Sequence, residues 1–163
     1  MSLKSLLVLF LSTGNAARSL MAEALLNARG SDRFTARSAG YRPLPEVHPE
    51  TFAILKAEGL PTESLHTKGW GEFLASAHIL NVDVIVTLSE EAKLYCPAWP
   101  GEPVRVHWTL DDPLGAERAD VREWKFRKSF STLQTRIEAL VRGKRPQTSS
   151  ELFLQLKDIG MVV

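Results

Sequence analysis

A single cysteine, Cys96, stands in a chain of 163 residues. An intrachain disulfide is thereby excluded, and no oxidising compartment is implied. Excess charge is missing too: the formal net charge is +1, which gives no broad push toward nucleic acid or a membrane surface. Residues 6–11 form an apolar run that is too short to span a bilayer. Lys4 precedes that run as in a signal peptide, but no small-residue cleavage site follows, so a cytoplasmic protein is expected. The four histidines, His48, His66, His78 and His107, have no metal-ligand spacing, and no metal or cofactor is expected from them. There is no internal repeat and no low-complexity linker. Basic residues cluster late, at Arg122, Lys125, Arg127, Lys128, Arg136, Arg142, Lys144 and Arg145. They lack the aromatic interleaving of nucleic-acid binders and read as a solvated helix face, with attraction of an acidic partner or steering of anions as the alternative.

What remains is an ordinary globular composition, 44% hydrophobic, long enough for one domain with a sizeable core. Residues 6–11, residues 34–38, residues 82–87 and residues 104–108 read as strands. Helices are expected from Ala17 onward, over residues 49–58, and along the stripe Phe126, Phe130, Leu133, Ile137, Leu140 and Val141. Strands alternating with helices predict an α/β fold of three layers, a short central parallel sheet of four strands flanked by helices. Ligands of such sheets bind beyond the carboxyl ends of the strands. Residues 1–145 are expected to form the main domain. Residues 146–163 are expected to be a tail whose Leu152, Leu156 and Ile159 make a short helical stripe closed by Gly160.

The end of the first strand carries the chemistry. Ser12, Thr13, Gly14, Asn15, Ala16, Ala17, Arg18 and Ser19 read as a tight loop feeding a helix. Gly14 and Asn15 tolerate unusual backbone angles. Such a loop gathers backbone N–H groups around one point, and the helix dipole reinforces the resulting anion site. Arg18 adds a forked guanidinium suited to a tetrahedral oxyanion.

This stretch resembles the oxyanion loop of low-molecular-weight protein tyrosine phosphatases and of the thioredoxin-coupled arsenate reductases of the same fold. Their signature is Cys, five residues, Arg, then Ser or Thr. Ser12 stands at the nucleophilic cysteine. The resemblance therefore implies phosphate or arsenate as ligand, with Ser12, Thr13, Gly14, Asn15, Ala16, Ala17, Arg18 and Ser19 forming the site. It also implies weak or absent turnover, because a serine hydroxyl ionises far less readily than a thiol. The serine reads either as a replacement in an active enzyme or as the mark of a natural pseudo-phosphatase that binds an oxyanion or a phosphoprotein.

The remaining site residues come from the same resemblance. Ser89 and Cys96 stand at the second and third relay cysteines of the arsenate reductases, whose relay ends in a disulfide that thioredoxin reduces. Thioredoxin is thus an implied partner, while Cys96 reads equally as a small buried apolar residue. His107-Trp108 and Asp111-Asp112-Pro113 match the family segment in which the Asp before Pro is the general acid, here Asp112. The bland alternative is a simple turn before Pro113. Asn15 would hold the loop and Ser19 would donate to position 12, roles compatible with plain capping. Asn15, Glu23 and Ser38 could form a monovalent-cation site of some of these reductases, with solvated surface the alternative for Glu23. Trp99-Pro100-Gly101, His107-Trp108 and the tail segment, residues 154–160, favour the arsenate reductase branch. Tyr41-Arg42-Pro43 is a weak echo of the phosphatases' aromatic specificity loop.

Overall fold

The computed structural model describes residues 4–76 and 80–163; His78 lies outside them. Four strands, β1 (Leu6–Ser12), β2 (Phe34–Gly40), β3 (Val84–Thr87) and β4 (Val104–His107), form one parallel sheet in the order β2-β1-β3-β4. Strand alternation divides their side chains between two cores. Val8, Phe10, Val84, Val86 and Val106 face one, and Leu9, Leu11, Ala39 and Ile85 face the other. Apolar residues at both parities demand cover on both faces, as a parallel sheet requires.

Helices supply that cover. The helices α1 (Arg18–Arg29), α2 (Pro49–Ala57), α5 (Ala119–Arg142) and α6 (Ser149–Ile159) place Leu20, Leu55, Phe126, Ile137 and Leu156 in the first core. The short helices α3 (Gly71–Ala75) and α4 (Glu90–Tyr95) lie over the second core, through Phe73 and Ala92. A single 3-10 turn, Pro113–Gly115, follows β4. This is the three-layer α/β architecture expected from the pattern of elements. Among the described residues no helix is long and apolar enough to cross a membrane.

Three details depart from the sequence reading. The β3 ladder starts at Val84, two residues late, because Asp83 takes the Leu7 N–H with its carboxylate at 2.8 Å rather than through a strand carbonyl. Helices α3 and α4 were not anticipated. Arg136 is not on a solvated face. It is 4% exposed, donating to Val162 O at 2.9 Å and to Thr109 O at 3.0 Å.

The tail helix packs on the sheet end. Thr148 caps its N-terminus by accepting from Glu151 N. Leu152, Leu156 and Ile159 join the first core, each such burial contributing about 1.5–3 kcal/mol. The fully buried Trp108, just past β4, donates its indole N–H to Leu156 O at 2.9 Å.

Candidate oxyanion site

The site grows from the point where β1 stops and α1 begins, at the carboxyl edge of the sheet. The following segment, residues 41–48, fixes the loop from outside. Tyr41, Arg42, Leu44 and His48 donate their backbone N–H groups to the carbonyls of Ser12, Thr13, Gly14 and Ala16 at 3.0, 2.8, 2.9 and 3.1 Å. Thr51 Oγ1 adds a second donor to Ala16 O at 2.7 Å. In a trans peptide the C=O and the next N–H point opposite ways. Tying these carbonyls outward therefore turns the N–H groups of Thr13, Gly14, Asn15 and Ala17 inward. That of Asn15 donates to Ser12 Oγ at 3.2 Å. Among the described residues no acceptor takes the other three.

These amides face a cavity of about 310 Å³, lined by Ser12, Thr13, Gly14, Asn15, Ala16, Ala17, Arg18, Arg42, Leu44, Asp112 and Leu114. Arg18 is 8% exposed. Its guanidinium donates to Leu110 O at 2.8 Å and to Leu88 O at 3.4 Å, and lies 3.7 Å from Asp112. Burial pushes Arg18 below its usual range, and Asp112 and Asp111 oppose that shift. Asp112 also caps the 3-10 turn by accepting from Leu114 N at 3.0 Å. Its expected turn role is thus present, and its carboxylate faces the cavity as well.

Beneath the cup runs a buried hydrogen-bond chain. Asn15 has φ 50, the left-handed region that Asn enters more readily than most residues. Its Nδ2 donates to Ser19 Oγ at 2.8 Å and to Ser38 Oγ at 3.0 Å. Ser38 in turn donates to Glu23 Oε1 at 2.9 Å. Asn15 Oδ1 accepts from Lys68 N at 3.0 Å. Asn15, Ser38 and Glu23 therefore meet, with Glu23 buried rather than solvated. The Asn15 oxygen accepts one backbone N–H and Glu23 Oε1 accepts the Ser38 hydroxyl. Burial raises the Glu23 carboxyl above its ordinary value, and the nearby Lys68 ammonium, itself pushed down by burial, opposes that rise.

The two relay positions separate. Ser89 reaches the loop: its hydroxyl accepts from Thr13 Oγ1 at 2.9 Å and caps α4 by accepting from Ala92 N at 3.1 Å. Cys96 does not line the oxyanion cavity. It lines another, of about 220 Å³, with Lys93, Arg105 and His107. Burial pushes the Cys96 thiol up, and Arg105, whose Nη1 lies 3.5 Å from Sγ, opposes this. His107 ends β4 on a 2.8 Å hydrogen bond between Nδ1 and Thr87 Oγ1. Among the described residues no group of three or more His, Cys, Asp or Glu is placed to hold a metal ion.

Sequence reasoning missed Lys68, and it placed Arg42 only in a weak echo of the phosphatases' specificity loop although Arg42 lines the cavity. Lys68 reaches Asn15 across 53 positions of chain, a contact no local pattern signals.

The family model described as "Low molecular weight phosphotyrosine protein phosphatase" matches residues 7–150. The arsenate reductase of Halalkalibacterium halodurans is 32% identical over 132 residues, covering 80% of this chain and 91% of its own length. A crystal structure of arsenate reductase from Archaeoglobus fulgidus superposes with TM-score 0.65 at 28% identity, over 83% of this chain and 99% of that one. The thioredoxin-dependent arsenate reductase of Corynebacterium glutamicum gives TM-score 0.65 at 26% identity, over 86% of this chain and 62% of that one.

Proposed function

The chain belongs to the low-molecular-weight phosphotyrosine protein phosphatase family, and from that membership we propose that it is an arsenate-reductase-like protein that binds phosphate or arsenate in the residue 12–18 loop. The observation that carries this reading is the outward tethering of four loop carbonyls, which leaves inward amides beside a buried arginine. Oriented N–H groups and a fixed guanidinium recognise a tetrahedral oxyanion without any reorganisation.

Turnover is a separate matter. In-line attack on phosphorus or arsenic needs an anionic atom at position 12. Ser12 Oγ contacts Ser19 Oγ at 2.7 Å and Asn15 N, and neither is a base. A serine hydroxyl gives up its proton far less readily than a thiol, and with no base beside it Ser12 stays protonated at neutral pH, so the chain as it stands binds the oxyanion but hydrolyses weakly or not at all. Asp112 fits the general acid that would protonate a leaving oxygen, since its carboxylate lines the same cavity. Thioredoxin coupling needs sulfur at positions 12 and 89 in addition to Cys96, because exchange requires a thiolate attacking a second sulfur.

A second reading, a natural pseudo-phosphatase that binds a phosphorylated protein, draws support from one observation. Tyr41 stacks on Tyr95 with centroids 4.9 Å apart and contacts Trp70 at 5.3 Å, an aromatic surface contiguous with the rim residue Arg42.

Isothermal calorimetry with inorganic phosphate and with arsenate tests the first reading. Binding is expected in the unsubstituted protein, and Arg18→Ala should weaken it by about a hundredfold, the loss of a charge-assisted fork. No heat in the unsubstituted protein at millimolar anion defeats it.

A further inference from the structure

The cup contains two arginines in opposite states. Arg18 is buried and fixed by two carbonyls and Asp112. Arg42 lines the same cavity, yet its side chain is 68% exposed. Its backbone is anchored to the loop through the 2.8 Å bond to Thr13 O. Its guanidinium lies over the Tyr41 ring, 5.2 Å from the centroid, and Nη2 pairs with Glu91 Oε2 of α4. Glu91 is itself 41% exposed. An exposed pair of this kind is weakly held and salt-sensitive. A guanidinium on an oxyanion makes stronger, charge-assisted hydrogen bonds.

Geometry then separates two classes of ligand. A tetrahedral oxyanion seated on the amides directs three oxygens inward and a fourth out toward the rim. In an inorganic anion that fourth oxygen is free and shares the charge. In a monoester it carries the organic group. A rim arginine meets the first and gains little from the second.

Resting on the reading of the loop as an oxyanion site, we propose that Arg42 is a specificity-determining anion-binding residue. It is held by Glu91 in the free protein and turns onto the outward oxygen of an inorganic oxyanion, favouring inorganic phosphate or arsenate over a monoester. Binding would also release α4 from its tie to Arg42. Two other ties hold α4 there, the hydrogen bond from Thr13 to Ser89 and the stack of Tyr95 on Tyr41.

The test is calorimetry with inorganic phosphate and with phenyl phosphate on the unsubstituted protein, Arg42→Ala, Glu91→Gln, the double variant and Arg18→Ala. Arg42→Ala should weaken inorganic phosphate by about tenfold, one charge-assisted contact, and phenyl phosphate by less than about threefold. Glu91→Gln should tighten inorganic phosphate, and that gain should vanish in the double variant. Equal loss of both ligands in Arg42→Ala, no loss of either, or a Glu91→Gln gain that persists without Arg42 overturns the proposal. If Arg18→Ala loses both ligands while Arg42→Ala binds normally, only the role of Arg42 falls. If the unsubstituted protein binds neither, or Arg18→Ala binds as before, the oxyanion site itself falls. Arg42 and Glu91 are exposed whereas Arg18 is buried, and thermal melts would verify that folding is retained in every variant.

Discussion

The hydroxyls of Ser12 and Ser19 lie 2.7 Å apart, and either can donate to the other. Asn15 Nδ2 already donates to Ser19 Oγ at 2.8 Å. Ser19 Oγ keeps its own proton and can turn it onto an anion at position 12, where Asn15 N also donates. An anion at position 12 would thus meet two donors in a cavity that Arg18 also lines, an arrangement that favours negative charge there.

Ser12→Cys should consequently place a stabilised thiolate there. Hydrolysis of a small aryl phosphate is expected to become measurable. Adding Asp112→Asn should lower the rate by about 10²–10⁴-fold, the usual contribution of a general acid. Ser12→Cys protein that binds phosphate but shows no turnover would remove Asp112 and Ser19 from their proposed roles.

Asn15 carries the loop conformation by two separable means, its left-handed backbone and its amide. Asn15→Gly keeps the first and loses the second; Asn15→Ala loses both. Each hydrogen bond is worth about 0.5–1.5 kcal/mol, and a left-handed alanine costs about 1–2 kcal/mol. Urea denaturation should rank stability as unsubstituted, then Asn15→Gly, then Asn15→Ala. The reverse order of the two variants would show that the left-handed angle is not the constraint.

Two histidines give the fold a pH dependence of defined sign. Burial pushes His48 and His107 below the ordinary 6.5. Arg122 assists and Glu50 opposes at His48; Glu90 opposes and Lys93 assists at His107. The folded state thus binds these protons less readily than the unfolded chain. Their stability contribution is full above pH 6.5 and is lost as pH falls through the folded values. His48 has a structural reason to resist protonation, since Nδ1 accepts from Glu50 N to cap α2. Glu23, raised by burial, works in the opposite direction, its contribution declining as pH rises through its folded value. Histidine ring signals followed by NMR should titrate below 6.5 for both residues, and a midpoint at or above that value for either would contradict the arrangement.

Much of this was legible in the residues because it is local. The continuous apolar run of β1 and the spacing of Leu20, Met21, Ala24 and Leu25 declare strand, loop and helix within twenty positions, and the anion loop sits between them. Helix α4 was not legible. It has six residues and buries only Ala92, so it shows no periodic stripe. Its start is set by Ser89, whose cap reads in sequence as a serine and nothing more. Arg136 was misread by its charge, although a signal was present. Leu133, Arg136, Ile137 and Leu140 share one helix face, and a charge on an apolar stripe is a buried charge with partners to find. Cys96 shows the other limit, since its distance from the cup depends on how α4 ends. Where Lys68 and Glu91 reach depends on the packing of distant segments.

The buried guanidinium of Arg136 joins two places far apart in the chain. One side grips Thr109 O, three residues before Asp112, and the other grips Val162 O. Trp108 is pinned to Leu156 beside it, and Ser129 holds Asp111 O at 3.3 Å. The loop that carries Asp112 is thus guyed from behind by the residues that follow α6. A strain applied at residues 156–162, by a fusion partner or an affinity tag, would be delivered to the mouth of the oxyanion cup. Handling that end of the polypeptide is in effect handling the site.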